Sequence, residues 1–293
     1  MASDVLIKDG FMYGPWRKSV NAAANMKESI HDNAVGRSVG MRGGVVAGTV
    51  HLDLFPPLAV KAFGQKWFEQ GSVSMFYVYA TLQDEEVRAV IKMPPSDARD
   101  AQVEARVETP DGKIVMQGTL AVGAPKVPTH LRAMQFKNSP QEDLRILKGI
   151  KPGDTLKPRE PVAIAAEEEM ASWDSRLEEW LDWYKDGSPW GAAIIPLSRL
   201  SWLMQAYPPQ TLQAVPFYGA TEIRFHNGPA KAKIPYKVDG KVVCVGAGGR
   251  TEFYWIDTKL RDESGKLIAS MLHLHRLMKA GSPLYPEVKT AES

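Results

Sequence analysis

Arg42-Gly43-Gly44-Val45-Val46-Ala47-Gly48 leads into the apolar run Val50 to Ala62, and Trp190-Gly191-Ala192-Ala193-Ile194-Ile195-Pro196 leads into another, Leu197 to Ala206. Gly43 and Gly191 lie 148 residues apart. A second pair of features follows in the same order. The turn Thr109-Pro110-Asp111-Gly112 runs into Lys113 to Val122, and Arg261-Asp262-Glu263-Ser264-Gly265 runs into Lys266 to Leu277, with Gly112 and Gly265 153 residues apart. Two unrelated features that recur in one order at nearly one offset mark an internal duplication.

Within each copy a helical segment is followed by strands. Ser72 to Tyr79 and Glu86 to Ile91 have the β-branched and aromatic content of strands, and Val103 to Glu108 pairs through Asp111-Gly112 with Lys113 to Val122 as a hairpin. In the second copy Thr221 to Phe225, Ala232 to Val238, Arg250 to Leu260 and Lys266 to Leu277 take those places. The expectation is an α+β protein in which a helix beginning near Gly48, and another near Pro196, is each surrounded by an antiparallel sheet. Gly123 to Pro140, with Pro125, Pro128 and Pro140, reads as the connector, which divides the chain into residues 1–140 and 141–293. Ahead of the second helix, Trp173, Leu177, Trp180, Leu181 and Tyr184 recur at three- and four-residue spacing, which predicts a surface helix over Glu167 to Tyr184.

Composition narrows the function. At 293 residues the chain has room for about two domains. Hydrophobic residues at 44% and charged residues at 24% exclude a disordered or collagen-like chain. Lys and Arg total 36 against 34 acidic residues, so a net charge of +2 gives no field for nucleic acid. The single cysteine, Cys244, excludes an internal disulfide and any multi-thiolate metal site, and it fits a reducing compartment; cytoplasm is expected. Met1 to Gly10 lacks an apolar signal core and no run of about 18 apolar residues is present, so neither export nor a membrane span is expected.

One stretch carries a family resemblance: Ser29-Ile30-His31-Asp32-Asn33-Ala34-Val35-Gly36-Arg37-Ser38, running through Val39-Gly40-Met41 into the Gly-rich turn and ending at Gly48. With Phe63-Gly64-Gln65-Lys66-Trp67-Phe68-Glu69-Gln70-Gly71, and with Asp182-Trp183-Tyr184 and Ser188-Pro189-Trp190-Gly191 in the second copy, it resembles the MaoC-like hydratases and dehydratases. The resemblance implies a double hot-dog fold, two tandem repeats each with an antiparallel sheet wrapped around a central helix. It also implies a lyase that adds or removes water beside the carbonyl of an acyl thioester such as one of coenzyme A, with no metal and no cofactor. A homodimer is expected, since hot-dog sheets commonly associate.

On that resemblance His31 is the general acid/base, and the backbone amide of Gly48, or of its neighbour Thr49, polarises the substrate carbonyl. The other reading of His31 is a helix-start residue that does no chemistry. Family hydratases carry an Asp five residues before the His, and Met26 stands there in this chain. Two carboxylates are candidates for the vacant role. Asp32 is also a natural helix N-cap, and Glu28 also reads as a solvated charge. His51, one turn after Gly48, either lines the pocket or sits against Asp53. In the second copy Asp182 and Tyr184 stand where His31 does in the first; they, Trp183 and Trp190 line the pocket or pack as core aromatics. A hot-dog thioesterase, in which a carboxylate directs water to the thioester carbon, and a non-catalytic small-molecule binding module are the alternatives.

The remaining motifs read as structure. Gly246 to Arg250 is a turn between strands with no helix after it. Cys244 sits in an apolar strand, where a thiol is inert packing. His273 and His275 alternate with leucines and are expected on a solvent-facing strand edge.

Overall fold

A computed structural model describes residues 5–27, 29–95, 99–185 and 187–288. Eight strands carry the fold: β1 (Gly71–Tyr77), β2 (Glu86–Lys92), β3 (Ala101–Glu108), β4 (Ile114–Val122), β5 (Pro216–Phe225), β6 (Lys237–Ala247), β7 (Thr251–Arg261) and β8 (Leu267–Met278). They form one antiparallel sheet in the order β2-β3-β4-β1-β5-β8-β7-β6, and short N-terminal strands extend it beyond β2. Read outward from the β1/β5 seam, each half has the same order: its first strand, its fourth, its third, its second. At the seam Glu222 lies opposite Ser74, which is 148 residues earlier in the chain. This matches the Gly43/Gly191 offset, so equivalent positions of the two copies meet there.

The hairpins β3/β4 and β7/β8 turn at Gly112 and Gly265, whose φ angles of +81° and +85° favour glycine. One face of the sheet packs on helix α1 (Pro56–Phe63) and helix α2 (Leu197–Leu203). Val73, Met75, Ile223 and Phe225 join Leu58, Ala59, Leu197 and Leu200 in the main core. Period-two alternation sends Ser72, Ser74 and Glu222 to the opposite face. There the connector crosses the seam: the Leu131 amide donates to Ser74 Oγ at 3.0 Å, while Thr129 and Arg132 bond Glu222. Leu131 packs with Ala220, Leu272 and Leu274 in a second apolar cluster. Among the described residues no helix is long and apolar enough to cross a membrane.

Three expectations are corrected. The first helix does not begin near Gly48: Val50–Leu54 is a 3₁₀ turn, and the α-helix starts at Pro56. Pro56 and Pro57 have no N–H to continue a helix entering from upstream, yet their fixed φ suits a first turn. The strand expected over Ala232 to Val238 begins only at Lys237, because Lys233 has φ +62° and Pro235 cannot donate to a ladder. Glu167 to Tyr184 is not one helix but an α-turn, Glu167–Met170, and two 3₁₀ turns, Trp173–Ser175 and Asp182–Tyr184. Ser172 and Ser175 donate their hydroxyls to carbonyls three residues back, a local bond that competes with helix propagation. A buried bond between His51 and Glu178 and a partly buried one from Arg17 to Glu179 then hold the segment to the first half.

Candidate functional site

His31 is placed by close approach of two backbones. The Gly-rich turn runs beside residues 29–33, with the Val45 amide on the Ile30 carbonyl at 3.1 Å and the Gly44 amide on Asn33 Oδ1 at 2.9 Å. A Cβ on Gly44 would sit 2.3 Å from the His31 carbonyl oxygen, so only glycine fits. Asn21 Nδ2 reaches the His31 and Gly44 carbonyls and ties the two stretches together. His31 Nδ1 lies 2.6 Å from the Val45 carbonyl oxygen. A carbonyl only accepts, so Nδ1 carries the proton and the neutral ring keeps its lone pair on Nε2. Burial pushes the imidazole pKa below its ordinary value, against the Val45 bond, and so favours that neutral form at physiological pH.

The imidazole forms part of the wall of a cavity of about 630 Å³ at the junction of the two halves. The first half contributes His31, Gly48, Thr49, His51 and Tyr77; the second contributes Ser198, Ser201, Trp202 and Tyr218. Four arginines, Arg42, Arg159, Arg176 and Arg199, line it, and among the described residues no carboxylate does. Tyr77 packs its ring on Gly48, where a Cβ would stand 2.7 Å from the ring. Its hydroxyl donates to Thr221 Oγ1 at 2.6 Å, and Thr221 is 2.8 Å from His273 Nδ1. Burial raises the Tyr77 hydroxyl and lowers His273, so both are neutral. Among the described residues no group of three His, Cys, Asp or Glu side chains is arranged to hold a metal ion.

Solved structures of similar shape settle what the strand order already outlines. A provisionally named MaoC domain dehydratase from Chloroflexus aurantiacus overlays with a TM-score of 0.58 at 9% identity, over 91% of this chain and 93% of that one. A MaoC-like dehydratase overlays with a TM-score of 0.53 at 12% identity, over 92% and 98%. The chain has a double hot-dog fold, shared with these two dehydratases. No protein-family model matches the sequence, and no curated protein matches it.

Within this hot-dog frame the predicted site residues separate. His31, Gly48, Thr49 and His51 share the cavity wall. Asp32 does not belong to it: its Oδ1 accepts from the Ala34 and Val35 amides at 2.8 and 3.0 Å as the N-cap of the helix Asn33–Ser38. Glu28 lies outside the described residues. Asp182, Trp183, Tyr184 and Trp190 are not in the wall either. Trp183 and Trp190 pack edge-on to Phe68 and to each other, and Trp190 Nε1 donates to Glu69. Tyr184 is buried beside Trp180, and its hydroxyl has no hydrogen-bond partner among the described residues. These aromatics joined a core because the segment that carries them folded back as turns. His273 and His275 are not at an edge, since β8 is hydrogen-bonded on both sides, to β5 and β7, and they are fully buried because Tyr207, Tyr218 and Tyr254 pack against their rings.

His51 is buried and has both nitrogens engaged, Nδ1 with Glu178 at 2.7 Å and Nε2 with the Thr81 hydroxyl at 2.9 Å. Nearby, Asp53 accepts from the Ser198 amide at 2.9 Å, a first-half carboxyl that caps the second half's helix. Ser201, Thr81, Glu178 and the cavity arginines escaped the sequence reading. Ser198 and Ser201 stand three apart on a helix whose other residues are apolar except Arg199, a polar notch that was there to be read. Glu178 and Thr81 carried no such signal, because their meeting with His51 spans 127 and 30 residues of chain.

Proposed function

We propose that the protein is a hydratase or dehydratase of acyl thioesters. The observation that supports this reading is His31: its ring is held by the Val45 carbonyl through Nδ1, and the basic Nε2 is left for the cavity. In the dehydration direction Nε2 takes the proton from the carbon beside the thioester carbonyl. The negative charge moves to the carbonyl oxygen, which accepts from the Gly48 and Thr49 amides at the start of the 3₁₀ turn. The imidazolium then returns the proton to the departing β-hydroxyl, the double bond forms, water leaves and neutral His31 is restored. Hydration runs the same steps backward. One group serves as both base and acid, in keeping with a wall that has no carboxylate among the described residues. Coenzyme A is the carrier in this reading, with exposed Arg176 at the rim to meet its phosphates. The working form is a cytoplasmic homodimer, checked by sedimentation. Enoyl-thioester absorbance with crotonyl-CoA, on the wild type and on His31→Gln, tests the chemistry; unchanged turnover in the variant refutes it.

Thioester hydrolysis is a second reading, favoured by one contact. His51 bridges the buried Glu178 carboxylate and the Thr81 hydroxyl, and Thr81 also lines the cavity. This is the arrangement of an oriented base and a hydroxyl nucleophile. Release of free thiol from the same substrate, lost in Thr81→Val, would place the reaction there.

A further inference from the structure

Among the described residues, one partly buried cation on the cavity wall has no carboxylate partner. Arg42 is held by both oxygens of Glu85, and Arg199 by Glu169. Arg176 is exposed, so water solvates it. Arg159 is half-buried, and among the described residues no carboxylate lies within ion-pair distance of it. Its backbone amide donates to the Gln205 carbonyl at 2.8 Å, beside the short ladder that pairs Lys157 with Tyr207. Its guanidinium lies 4.4 Å from the centroid of the Trp202 ring and 5.9 Å from that of Tyr207. The buried Nε has no hydrogen-bond acceptor among the described residues. The aromatic contacts supply no anion, and removing the Nε–H from water without an acceptor is costly.

The surroundings complete a binding site. Tyr207, Tyr218 and Trp202 share the wall with Arg159. Tyr207 and Tyr218 both pack edge-on to the His275 ring, at 5.6 and 5.5 Å between centroids, which sets them side by side on this wall. Tyr218 packs its ring on His273 at 4.4 Å between centroids. His273 and His275 face these tyrosines from β8, and burial keeps both neutral, so they contribute no competing positive charge. Tyr77, with its ring on Gly48 and its hydroxyl on Thr221, stands between the carbonyl-polarising amides and this cluster.

We propose that Arg159, with the Tyr207 and Tyr218 hydroxyls, binds a carboxylate at the far end of the substrate's acyl chain, so that the preferred substrates are carboxyacyl thioesters. The inference rests on the acyl-thioester reading above and narrows it to a substrate class. A planar guanidinium offers two parallel N–H donors to one carboxylate, and in a partly desolvated wall such a charge-assisted pair is strong. A phosphate of the carrier is the other anion that could reach an arginine, and the test separates the two sources.

Isothermal titration of the full chain would compare glutaryl and pentanoyl groups, which have equal carbon number and differ in the terminal carboxylate. Each is presented as the coenzyme A thioester and as the N-acetylcysteamine thioester, which has no phosphate. Glutaryl is expected to bind about 10- to 100-fold tighter than pentanoyl on both carriers. Arg159→Gln should remove that ratio while leaving pentanoyl affinity within about 2-fold, and Tyr218→Phe should reduce it. Equal binding of the two acyl groups to the wild type overturns the proposal even if no variant folds. Loss of affinity in Arg159→Gln for the coenzyme A thioesters of both acyl groups alike, with the N-acetylcysteamine thioesters unaffected, also overturns it, by assigning Arg159 to phosphate. Failure of every thioester to bind refutes the acyl-thioester reading and this proposal with it.

Discussion

Replacing Asp53 by Asn should change how the stability of this protein depends on pH. Asp53 is fully buried in the 3₁₀ turn Val50–Leu54; one oxygen accepts from the Ser198 amide and the other has no partner among the described residues. Burial pushes its carboxyl up to about 7 from an ordinary 3.8, the Ser198 bonds and Arg199 opposing and Glu178 assisting. The unfolded chain therefore releases this proton near pH 3.8, while the folded chain holds it to about pH 7. Between those values the folded state binds more protons, so stability falls as pH rises and the loss is complete above about 7. At roughly 1.4 kcal/mol per pH unit, the interval corresponds to about 4 kcal/mol. Asn keeps an acceptor for the Ser198 N–H but cannot ionise. The difference in unfolding free energy between Asp53→Asn and wild type should thus move by about 4 kcal/mol in favour of the variant between about pH 4 and pH 8. Urea titrations of both proteins across that range at fixed ionic strength measure it, because titrating groups that do not feel the Asp53 charge cancel in the difference. A constant offset across the range would mean that Asp53 is ionised throughout, and the argument from its burial would fall.

His31→Ala should lower turnover by about 10² to 10⁴ with the fold intact. Because burial depresses its pKa, kcat/KM should fall as pH drops through an inflection below the ordinary 6.5 of histidine; an inflection above that value contradicts the neutral-base assignment. Gly48→Ala should impair turnover without unfolding the protein, since the new methyl would stand 2.7 Å from the Tyr77 ring and displace it from the wall; unchanged kinetics would show that Tyr77 yields freely. Tyr184→Phe should leave substrate affinity and turnover unchanged and stability equal or higher, because the hydroxyl it removes is buried without a partner. A loss of turnover there would return the second half's aromatics to the site.

The duplication was written in the chain. The spacing of Gly43 to Gly191 reappears as Ser74 facing Glu222 at the seam. Turn chemistry at Gly112 and Gly265 fixed two hairpins, because a positive φ can be read from local composition. Local signals also placed His31 beside a Gly-rich turn, since contacts within about a dozen residues leave spacing constraints, as Gly44 does against the His31 carbonyl. The sequence left Asp32 undecided between a cap and an acid, and the amides of Ala34 and Val35 took it as a cap.

What the sequence could not contain is which distant residues share a wall. Trp173, Leu177, Trp180, Leu181 and Tyr184 had helical spacing, yet bonds to His51 and Arg17 from more than 100 residues away held the segment in turns, and Trp183 and Trp190 closed a core instead of a pocket. Periodicity at His273 and His275 showed that they share a face, but whether that face meets water depended on the tyrosines that the fold packs against it, Tyr207, Tyr218 and Tyr254. The unpaired Arg159 shows the same division. A charge in the sequence is neutral information until the fold decides whether a carboxylate stands opposite it, and here tertiary structure set it against Trp202 and Tyr207 at the edge of a cavity.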